Sequence, residues 1–555
     1  MARSNLVALG LLSAFLSSAF AEPIEQAQRN AVQAQECLVR SNRVLQAYLK
    51  RRDTVTGLLP RRGGENAWYV RDSAADLFPF LIMAAYFTDR HVYEHDMQDI
   101  FRNEIRHSTR IGSLSDNVLP GGGFESAEPK QADIVFGSAE YVKDGLLPLV
   151  ELLGHQGWYD RMRSICDDLI AQAPYETPFG RVPSNSAEIN GEFLQALSRL
   201  AFETHDPRYI DQGVAITRFY FNEVIPKSNG LPAHLWDFEQ GKPASERFVL
   251  SDHGNEIAAG LSEFVMFLKE TKHPAFGECK DSLVELIDVL LGCGLNEDGV
   301  WYVSVSLADR RPADARHAHC WGYLFNAVYT TYLITGEQRF LDATTRAMKS
   351  VTEKPTYLDD PAGSGRNYKS NAYSDAIESA IVFINRLPDE RMAPVLDECV
   401  ARFLARQRED GIIEDWYGDG NYVRTALMFA LMKSQGAWLE PWRPDVRLGA
   451  VKTDKGILLT LEAEQEWSGR VRFDIPRHEA NFNLSVNYTR LNEWPEWFTV
   501  EQDRLYKVSV DGAETLRSGS ELVQGLEVHV VPNQLVQVGV AAVVGPPYGT
   551  QAVLE

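Results

Sequence analysis

Several catalytic motifs are missing from this 555-residue sequence. It contains no G-x-S-x-G nucleophile elbow, no P-loop and no H-E-x-x-H zinc motif. The run Gly121-Gly122-Gly123 does not follow a predicted strand, so it does not indicate a dinucleotide-binding turn. The six cysteines occur singly, without a C-x-x-C pair, which argues against a zinc knuckle or a thioredoxin-type redox site. We therefore expect no bound cofactor.

Basic residues are also in short supply. Lysine and arginine number 55 against 77 aspartates and glutamates, which gives a formal net charge of −22. An acidic surface repels phosphate backbones, so we expect no nucleic-acid partner. We expect no metal site either. His317 and His319 are too close in sequence to share one ion readily, and the acidic stretch 409–419 does not have the spacing of an EF-hand.

Beyond the N-terminus, no apolar stretch reaches the roughly 20 residues that a membrane-spanning helix needs. Arg3 supplies a positive start, residues 6–20 are apolar, and Ala19-Phe20-Ala21 forms an A-x-A cleavage site. We interpret residues 1–21 as a cleaved signal peptide, which predicts a secreted or periplasmic protein with no membrane partner. Export permits disulfides, but the scattered cysteines predict mostly buried free thiols, with one bridge at most.

The hydrophobic pattern divides the remaining sequence into two parts. From about residue 24 to 435, apolar residues recur with helical period. From about 446 to 545 they alternate as in strands, most clearly over 451–461, 470–475, 483–488 and 536–540. Two prolines within Trp438–Pro444 mark the boundary. We predict a mainly α fold, with a helical domain over 22–437, a linker over 438–445 and an antiparallel β-sandwich over 446–555.

A helix start that combines polar and aromatic residues recurs through the helical part. It is found near Asn66, Asp133, Glu188, Asp252, Arg316, Asn371 and Gly420. The intervals correspond to about one helical hairpin with its loops. A solenoid would need short, near-identical repeats, whereas these repeats are irregular and their loops are long. We therefore predict six or seven hairpins closed into an (α/α) toroid.

The first turns of these helices carry carboxylates, amides and aromatic rings. In a toroid the inner helices run parallel, so their first turns meet at one mouth. Aromatic faces that stack on sugar rings, beside polar groups that bind hydroxyls, are typical of a carbohydrate site. Helix N-termini also favour Asp, Asn and Glu as caps, but capping does not explain the accompanying Trp, Tyr and His.

Basic loops near this mouth indicate an anionic sugar. Eight basic residues against two acidic ones lie between positions 40 and 71, and Arg310, Arg311 and Arg316 follow later. Arginine binds carboxylates through two parallel hydrogen bonds, so a uronic acid is the predicted substrate unit. Ordinary solvated loop charge stays open as the alternative.

Three segments carry a resemblance to known enzymes: NAWYVRDSAADLFPFL, YVKDGLLPLVELLG and RHAHCWGYLFNAVYTTYL. With the signal peptide and the C-terminal β-sandwich, the arrangement resembles the six-hairpin glycosidase superfamily and the related α/α-toroid polysaccharide lyases. Among these it looks most like uronate-active glycoside hydrolases of the family 154 type. The resemblance, over about residues 24–435 plus the sandwich, implies an (α/α) toroid with β-glucuronidase-like activity. No family motif aligns with particular residues, so the resemblance assigns no catalytic residue.

We therefore predict a secreted glycoside hydrolase that cleaves a uronate-containing oligo- or polysaccharide by general acid–base catalysis. The predicted catalytic carboxylates are Glu192 and Asp252, with Glu256 and Asp375 in reserve. The predicted substrate-binding residues are Trp68, Tyr141, Trp321 and Tyr373 for stacking, Arg71 and Arg316 for the uronate carboxylate, and His253 and His319.

Two other functions stay open at this point. A polysaccharide lyase would neutralise the uronate carboxylate with Arg316 or Asn190. Its base would remove the proton α to that carboxylate, and the candidates are Tyr141, Tyr373, His253 and His319. A non-catalytic glycan-binding protein would need the stacking aromatics but no catalytic carboxylates.

Overall fold

The computed structural model describes the backbone of residues 2–61, 67–359, 370–414 and 418–543, with side chains from residue 22 onward. The predicted signal peptide therefore has no described side chains, and residues 544–555 of the predicted β-sandwich lie outside the described residues. Within these ranges, no helix is both long and apolar enough to cross a membrane.

The described part of the helical region contains fourteen long helices, several of which are made of consecutive α- and π-helical stretches. They are α1 (Ala2–Leu49), α2 (Val70–Leu77 and Phe78–Thr88), α3 (Arg90–Val92, Tyr93–Met97 and Gln98–Ser108), α4 (Gln131–Glu140, Tyr141–Leu146 and Leu147–Leu153), α5 (Gly157–Ala171), α6 (Ala187–Thr204), α7 (Pro207–Phe219, Tyr220–Val224 and Ile225–Lys227), α8 (Glu256–Glu270), α9 (Phe276–Cys293), α10 (Tyr323–Thr335), α11 (Gln338–Glu353), α12 (Ser370–Arg386), α13 (Met392–Leu404) and α14 (Gly418–Lys433).

The even-numbered helices form an inner ring. Successive members pack on one another from α2 to α10 and from α12 to α14, and α14 packs back on α2. Helices α10 and α12 meet at their N-terminal ends, where the Trp321 indole N–H donates to the Ala376 carbonyl at 3.1 Å. The odd-numbered helices lie outside this ring, each against its inner neighbours. The prediction of a mainly helical fold is confirmed.

Two glycines allow α6 and α8 to approach each other closely. A β-carbon on Gly191 of α6 would lie 2.3 Å from the backbone carbonyl carbon of Glu256 on α8. A β-carbon on Gly260 would lie 2.4 Å from the Gly191 carbonyl oxygen. The two backbones are therefore in direct contact, and this contact brings Glu192 and Glu256 to the same stretch of the ring's inner wall.

Short antiparallel strands stiffen the loops of the helical ring. They are β1 (Thr109–Ile111) with β2 (Leu114–Ser115), β3 (Tyr175–Thr177) with β4 (Gly180–Val182), β5 (Trp236–Asp237) with β6 (Lys242–Pro243), and the three-stranded sheet of β7 (Arg247–Val249), β8 (Tyr302–Ser306) and β9 (Pro312–His317). The last sheet leads directly into the turn that carries Asp252.

Two antiparallel sheets follow α14. Their strands are β10 (Trp438–Glu440), β11 (Val446–Thr453), β12 (Gly456–Ala463), β13 (Trp467–Arg472), β14 (Leu505–Val510), β15 (Ala513–Ser518), β16 (Leu526–Val530) and β17 (Val536–Ala542), with helices α15 (Arg477–Phe482) and α16 (Gly519–Gln524) between them. One sheet has the order β11-β12-β17-β14-β15 and the other β10-β13-β16. Residues from both sheets, among them Leu459, Val538 and Val471, share one apolar core.

Two expectations for this part are wrong. Residues 438–440, predicted as linker, form β10, in which Trp438 pairs with Arg472 of β13. Residues 483–488, predicted as a strand, pair with no strand in the described chain. Their alternating apolar residues are buried in the core of the helical ring instead, where Leu484 and Tyr488 are almost fully covered. Alternation reports a half-buried segment, and here a helix ring rather than a sheet buries it.

Residues 483–497, which we call the axial segment, enter the C-terminal side of the inner ring. Hydrogen bonds connect the segment and the adjoining α15 to six inner helices within the described residues, through Glu151 of α4, Phe202 of α6, Glu270 of α8, Thr330 of α10, Asn385 of α12 and Arg424 of α14. Because its partners encircle it, the segment occupies the ring axis. Tyr488, Arg490, Glu493 and Trp494 are each at most 2% exposed.

Helix α1 holds the two parts of the chain together. It packs on α14 and α2 of the inner ring and also on β11 and β12. A β-carbon on Gly449 of β11 would lie 2.2 Å from the Ala31 backbone nitrogen, so the strand and the helix touch through their backbones. The Asn30 amide donates to the Ala450 carbonyl at 2.8 Å.

The six cysteines are all free thiols, and all except Cys293 are buried. Burial raises the pKa of the Cys37 and Cys166 thiols far above its ordinary value. These thiols are therefore protonated and poor nucleophiles at neutral pH.

The Gly191 contact gives a stability prediction. We expect Gly191→Ala to lower the free energy of unfolding by about 1–3 kcal/mol, because the new methyl group must push α6 and α8 apart. Gly292→Ala is the matched control, since a β-carbon at that helical position meets nothing within 4 Å, and it should stabilise by about 0.5–1 kcal/mol. Urea unfolding of both variants measures the difference. Equal effects would contradict the direct backbone contact.

Candidate active site

A cavity of about 430 Å³ lies among the N-terminal ends of the inner helices. Its charged lining consists of Arg61, Arg71, Asp72, Asp76, Glu140, Lys143, Asp144, Glu192, Asp252, His253, Glu256, Asp375 and Arg424, and its uncharged lining of Tyr69, Asn117, Tyr323, Asn371, Asn421 and Asn492. Among the described residues, eight carboxyl groups therefore face the same space as four Lys and Arg side chains.

Irregular helix geometry directs part of this lining inward. The first part of α2 (Val70–Leu77) and the middle of α4 (Tyr141–Leu146) are π-helical. These two stretches supply Asp72, Asp76 and the Lys143–Asp144 pair to the cavity. A π-helical turn adds one residue per turn, so two successive side chains can reach one face, and such turns occur frequently at functional sites.

Glu192 on α6 is a buried carboxyl group of the cavity. It is 2% exposed, and its Oε2 atom has no hydrogen-bond partner within the described structure. Burial, and then the nearby carboxyl groups Glu140 and Glu188, raise the pKa of Glu192 well above its ordinary value. Glu192 is therefore protonated at neutral pH and presents a proton to the cavity.

Glu140 on α4 lies beside Glu192 and pairs with Arg71. The Arg71 Nε atom donates to Glu140 Oε2 at 2.7 Å, and the guanidinium lies 3.7 Å from the ring centroid of Phe136. Burial raises the pKa of Glu140 to about 8, although Arg71 opposes this shift. The Arg71 side chain remains 48% exposed at the cavity wall.

Lys143 connects two further carboxylates. Its Nζ atom donates to Asp144 Oδ1 at 2.7 Å and to Glu256 Oε1 at 2.9 Å. The Gln195 amide donates to the other oxygen of Glu256 at 2.6 Å. Burial raises the pKa of Glu256, while Lys143 opposes the shift. Both Glu256 oxygens are thus occupied by partners, which makes this carboxylate a fixed wall rather than a mobile proton donor.

Asp375 on α12 forms the opposite wall. Its Oδ1 accepts hydrogen bonds from the Tyr323 hydroxyl at 2.9 Å and from Arg424 Nη2 at 2.8 Å, and its Oδ2 lies 3.4 Å from His319 Nε2. Burial alone would raise the pKa of Asp375, but His319 and Arg424 together hold it below its ordinary value. Asp375 is therefore ionised on the other side of the cavity from protonated Glu192.

Asp252 and His253 occupy a strained turn between β7 and α8. Both have positive φ angles, 25° and 42°, which cost side-chain-bearing residues free energy and cluster at functional sites. Asp252 Oδ2 lies 3.5 Å from His253 Nε2 and 3.8 Å from His319 Nε2. The His253 Nδ1 atom lies 2.6 Å from Glu188 Oε1. The charges of Asp252 and Glu188 raise the pKa of His253 to about 10, although burial opposes this shift.

Asp252, His319 and Asp375 have ligand atoms within 4.8 Å of one another. Carboxylate and imidazole are donors that a divalent ion can use. Arg424 and Tyr323 already occupy Oδ1 of Asp375, however. A guanidinium on the same carboxylate competes with a metal ion for its charge, so the donor set fits an ion poorly.

Six of the predicted site residues line this cavity: Glu192, Asp252, Glu256, Asp375, Arg71 and His253. His319 lies just behind the wall and contacts Asp252 and Asp375. The structure thus brings together all four predicted carboxylates from three inner helices and the turn before α8. Their catalytic roles stay predictions.

The four predicted stacking aromatics do not line the cavity. Trp68 packs on Phe78, Trp321 bonds to the Ala376 carbonyl, and the Tyr373 hydroxyl donates to the Cys399 carbonyl on α13 at 3.3 Å. Tyr141 is fully buried. Each of these rings is 2% exposed or less. The reason is that an inner helix has two buried faces, and large apolar rings at its first turn pack among the helices rather than toward the axis.

Arg316 is also misplaced by the sequence prediction. It lies on β9, where its side chain is 62% exposed and pairs with Asp314 at 2.6 Å, and it does not line the cavity. The helix predicted to begin there begins instead at Tyr323.

Sequence reasoning missed Arg424 and Asn492, and it did not single out Asp76. Arg424 is 3% exposed and Asn492 4% exposed. A signal existed for Arg424, because a charged residue within the apolar run of α14 must have a buried partner. Asn492 gave no usable signal, since it reaches the cavity from the C-terminal part of the chain.

No family model and no curated protein matches the chain. Among solved structures, the α-1,6-mannanase GH76A of Salegentibacter sp. HEL1_6 is 13% identical over 59% of this chain and 95% of that chain, with a TM-score of 0.42. The cellobiose 2-epimerase of Spirochaeta thermophila DSM 6192 is 15% identical over 59% and 86%, with a TM-score of 0.41. That of Bacillus thermoamylovorans B4167 is 12% identical over 57% and 87%, also at 0.41. TM-scores this low transfer neither an activity nor a site, and nothing here supports glycoside hydrolase family 154.

Glu140 should make folding stability depend on pH. The folded protein holds this proton up to about pH 8, whereas an unfolded chain releases it near the ordinary value of 4.5. The contribution of Glu140 is therefore fully present below pH 4.5 and is lost as pH rises toward 8. We expect Glu140→Gln to flatten the decline in the free energy of unfolding by up to about 1.4 kcal/mol per pH unit.

Urea unfolding across this pH window tests the prediction. Glu176→Gln is the control, because the Glu176 side chain is 78% exposed and does not belong to the cavity lining. Curves of wild type and Glu140→Gln that run parallel would contradict the assigned protonation.

Proposed function

We propose that this protein is a glycoside hydrolase whose substrate enters the cavity of the inner ring. The observation that carries the proposal is the contrast between two walls of one cavity. A protonated, unpartnered Glu192 faces a space that is also lined by the ionised Asp375 and by Asp252. Carboxyl groups whose environments push their pKa values apart are what glycosidic bond cleavage needs, as acid and as base or nucleophile.

In this proposal Glu192 is the general acid. Its proton goes to the glycosidic oxygen as the bond to the anomeric carbon breaks. Asp252 is the base or nucleophile, because its side chain is 39% exposed at the cavity and lies between two histidines that orient it. Asp375 and Glu256 are held by Arg424 and Lys143 and shape the site around the reacting pair.

The cavity favours hydrolysis over β-elimination. Of the four candidate lyase bases, Tyr141 and Tyr373 are buried outside the cavity. His253 has its pKa raised to about 10, and the pKa of His319 is also raised. With that pKa, His253 is already protonated at neutral pH and cannot remove a proton from carbon, and the upward shift makes His319 a less available base.

A uronate substrate is the finer part of the proposal, and Arg71 supports it. Arg71 lines the cavity and is about half exposed, although its Nε atom is engaged by Glu140. We also propose export after cleavage at Ala21, and that the C-terminal sheets form an accessory β-sandwich that packs on the catalytic ring.

Removal of the proposed acid should abolish turnover without loss of folding. We expect Glu192→Gln to reduce kcat by about 10²–10⁴-fold on any oligosaccharide that wild type hydrolyses. Wild-type activity should also fall at high pH as the Glu192 proton is lost. Glu203→Gln is the matched control, on the same helix about three turns away and outside the cavity lining, and it should keep wild-type activity.

A panel of uronate and neutral oligosaccharides, followed by reducing-end release and ultraviolet absorbance, supplies the measurement. New ultraviolet absorbance would mean an unsaturated lyase product. Tight glycan binding with no turnover by wild type would instead indicate a binding protein.

Substitution of the two predicted arginines tests whether the substrate carries a uronate. Arg71→Gln should weaken uronate binding by about 1.5–3 kcal/mol, the value of a hydrogen bond to a charged group. Arg316→Gln is the control and should leave binding unchanged, because Arg316 pairs with Asp314 outside the cavity. Equal wild-type activity on neutral and uronate substrates would refute the uronate part alone.

A further inference from the structure

The floor of the cavity comes from the C-terminal part of the chain. Asn492 of the axial segment lines the cavity and is 4% exposed. Its side-chain amide donates to Asp144 on α4, and its oxygen accepts from Arg424 Nη1 on α14 at 3.3 Å. One side chain therefore bridges the two walls of the cavity at the ring axis.

Below Asn492, the described part of the axis is filled. Arg490 pairs with Glu151 on α4 at 3.0 Å, and Glu493 pairs with Arg386 on α12 at 2.8 Å. Both acidic partners are at most 3% exposed. These pairs tie the axial segment to α4 and α12, and among the described residues their side chains fill the axis below Asn492.

The backbone conformation of Asn492 is one that few residue types adopt readily. Its φ angle is 55°, in the left-handed region, which asparagine tolerates better than most residues. The following Glu493 accepts a hydrogen bond from the Arg490 backbone N–H at 2.8 Å. The tight turn over 490–493 thus directs the Asn492 side chain toward the cavity, while Arg490 and Glu493 anchor the segment to the ring.

Three of the carboxyl groups lie deep in this cavity, whereas Asp252 is 39% exposed. Glu192, Glu256 and Asp375 are all 6% exposed or less. A glycosidic bond can reach them only if a sugar enters the cavity, and the floor stops any sugar beyond it. An internal stretch of a glycan could reach these groups only if the chain entered the cavity, turned and left again within about 430 Å³.

We infer that the cavity accepts the end of a glycan chain, so that the enzyme removes terminal units and does not cut within a chain. This inference rests on the proposed hydrolase function and adds the class of substrate to it. In it, Asn492 sets the depth of the site: it contacts the terminal sugar and fixes Asp144 and Arg424 around that sugar.

The first test follows products from wild-type protein. Hexasaccharides of glucuronate, galacturonate and xylose, each with a fluorescent label at the reducing end, are digested and sampled from the earliest time. We expect the released unit to be one size from the start, with labelled products that shorten stepwise or release the labelled end first. A mixture of internal fragments at early times would overturn the inference and leave the hydrolase proposal intact.

A binding experiment separates the two proposals if no hexasaccharide is hydrolysed. Calorimetry of the Glu192→Gln protein uses the same hexasaccharides capped by a bulky group at one end, at the other end, or at both. Binding that survives one single cap and is lost with both caps would support the chain-end site even though hydrolysis had failed. Binding of the doubly capped chain, or no binding at all, would overturn the inference.

The floor residue is tested with a matched pair. We expect Asn492→Ala to lower kcat/KM, or the binding constant in the inactive protein, by tenfold or more. Asn487→Ala is the control, because Asn487 belongs to the same segment and accepts from Arg386 and Arg490 outside the cavity lining. It should change these constants less than twofold. Equal losses in both variants, at equal thermal stability, would mean that the segment acts only as a support.

Discussion

The axis of the inner ring is the constraint on which the rest of the structure depends. Seven inner helices within the described residues surround a space that the outer helices cannot reach, and this protein fills much of it with paired charges. Arg199 pairs with Glu263, and Arg490 pairs with Glu151, with every partner at most 3% exposed. Loss of one member of such a pair typically costs about 3–5 kcal/mol, because it leaves a buried charge unpaired. The axis therefore holds its charged groups mainly as pairs, whereas among the described residues that line the cavity the carboxyl groups outnumber the Lys and Arg side chains.

The C-terminal part completes this network and is not a separate attachment. Its two sheets have their own apolar core, yet its axial segment contributes Tyr488 and Trp494 to the core of the helical ring. Helix α1 makes a second connection from the opposite direction, because it packs on both the ring and the sheets. The two parts thus share buried surface at two places, which favours their unfolding as one unit.

Periodicity in the sequence was sufficient to predict the helices and the change from helices to strands near residue 446, because both are local properties of a half-buried chain. Polar residues at or just before the start of a buried helix must face an axis or a ligand, and this argument correctly placed Glu192, Asp252, Glu256 and Asp375 at one cavity, while their catalytic roles stay predictions. It failed for Trp68, Tyr141, Trp321 and Tyr373, because a first-turn position does not say which buried face a side chain occupies. It failed for Asn492 because a contact between residues 144 and 492 has no local signature.

The incomplete pairing in the cavity is what prepares its chemistry. Eight carboxyl groups share the lining with only four Lys and Arg side chains, and burial weakens the hydration that would otherwise keep them all ionised. The cations are already committed, Lys143 to Asp144 and Glu256, and Arg424 to Asp375. Burial and neighbouring carboxyl groups raise the pKa values of Asp76 and Glu192 well above their ordinary values. Burial and the placement of these cations thus separate the pKa values of Glu192 and Asp375, and our proposal that Glu192 donates the proton rests on this separation.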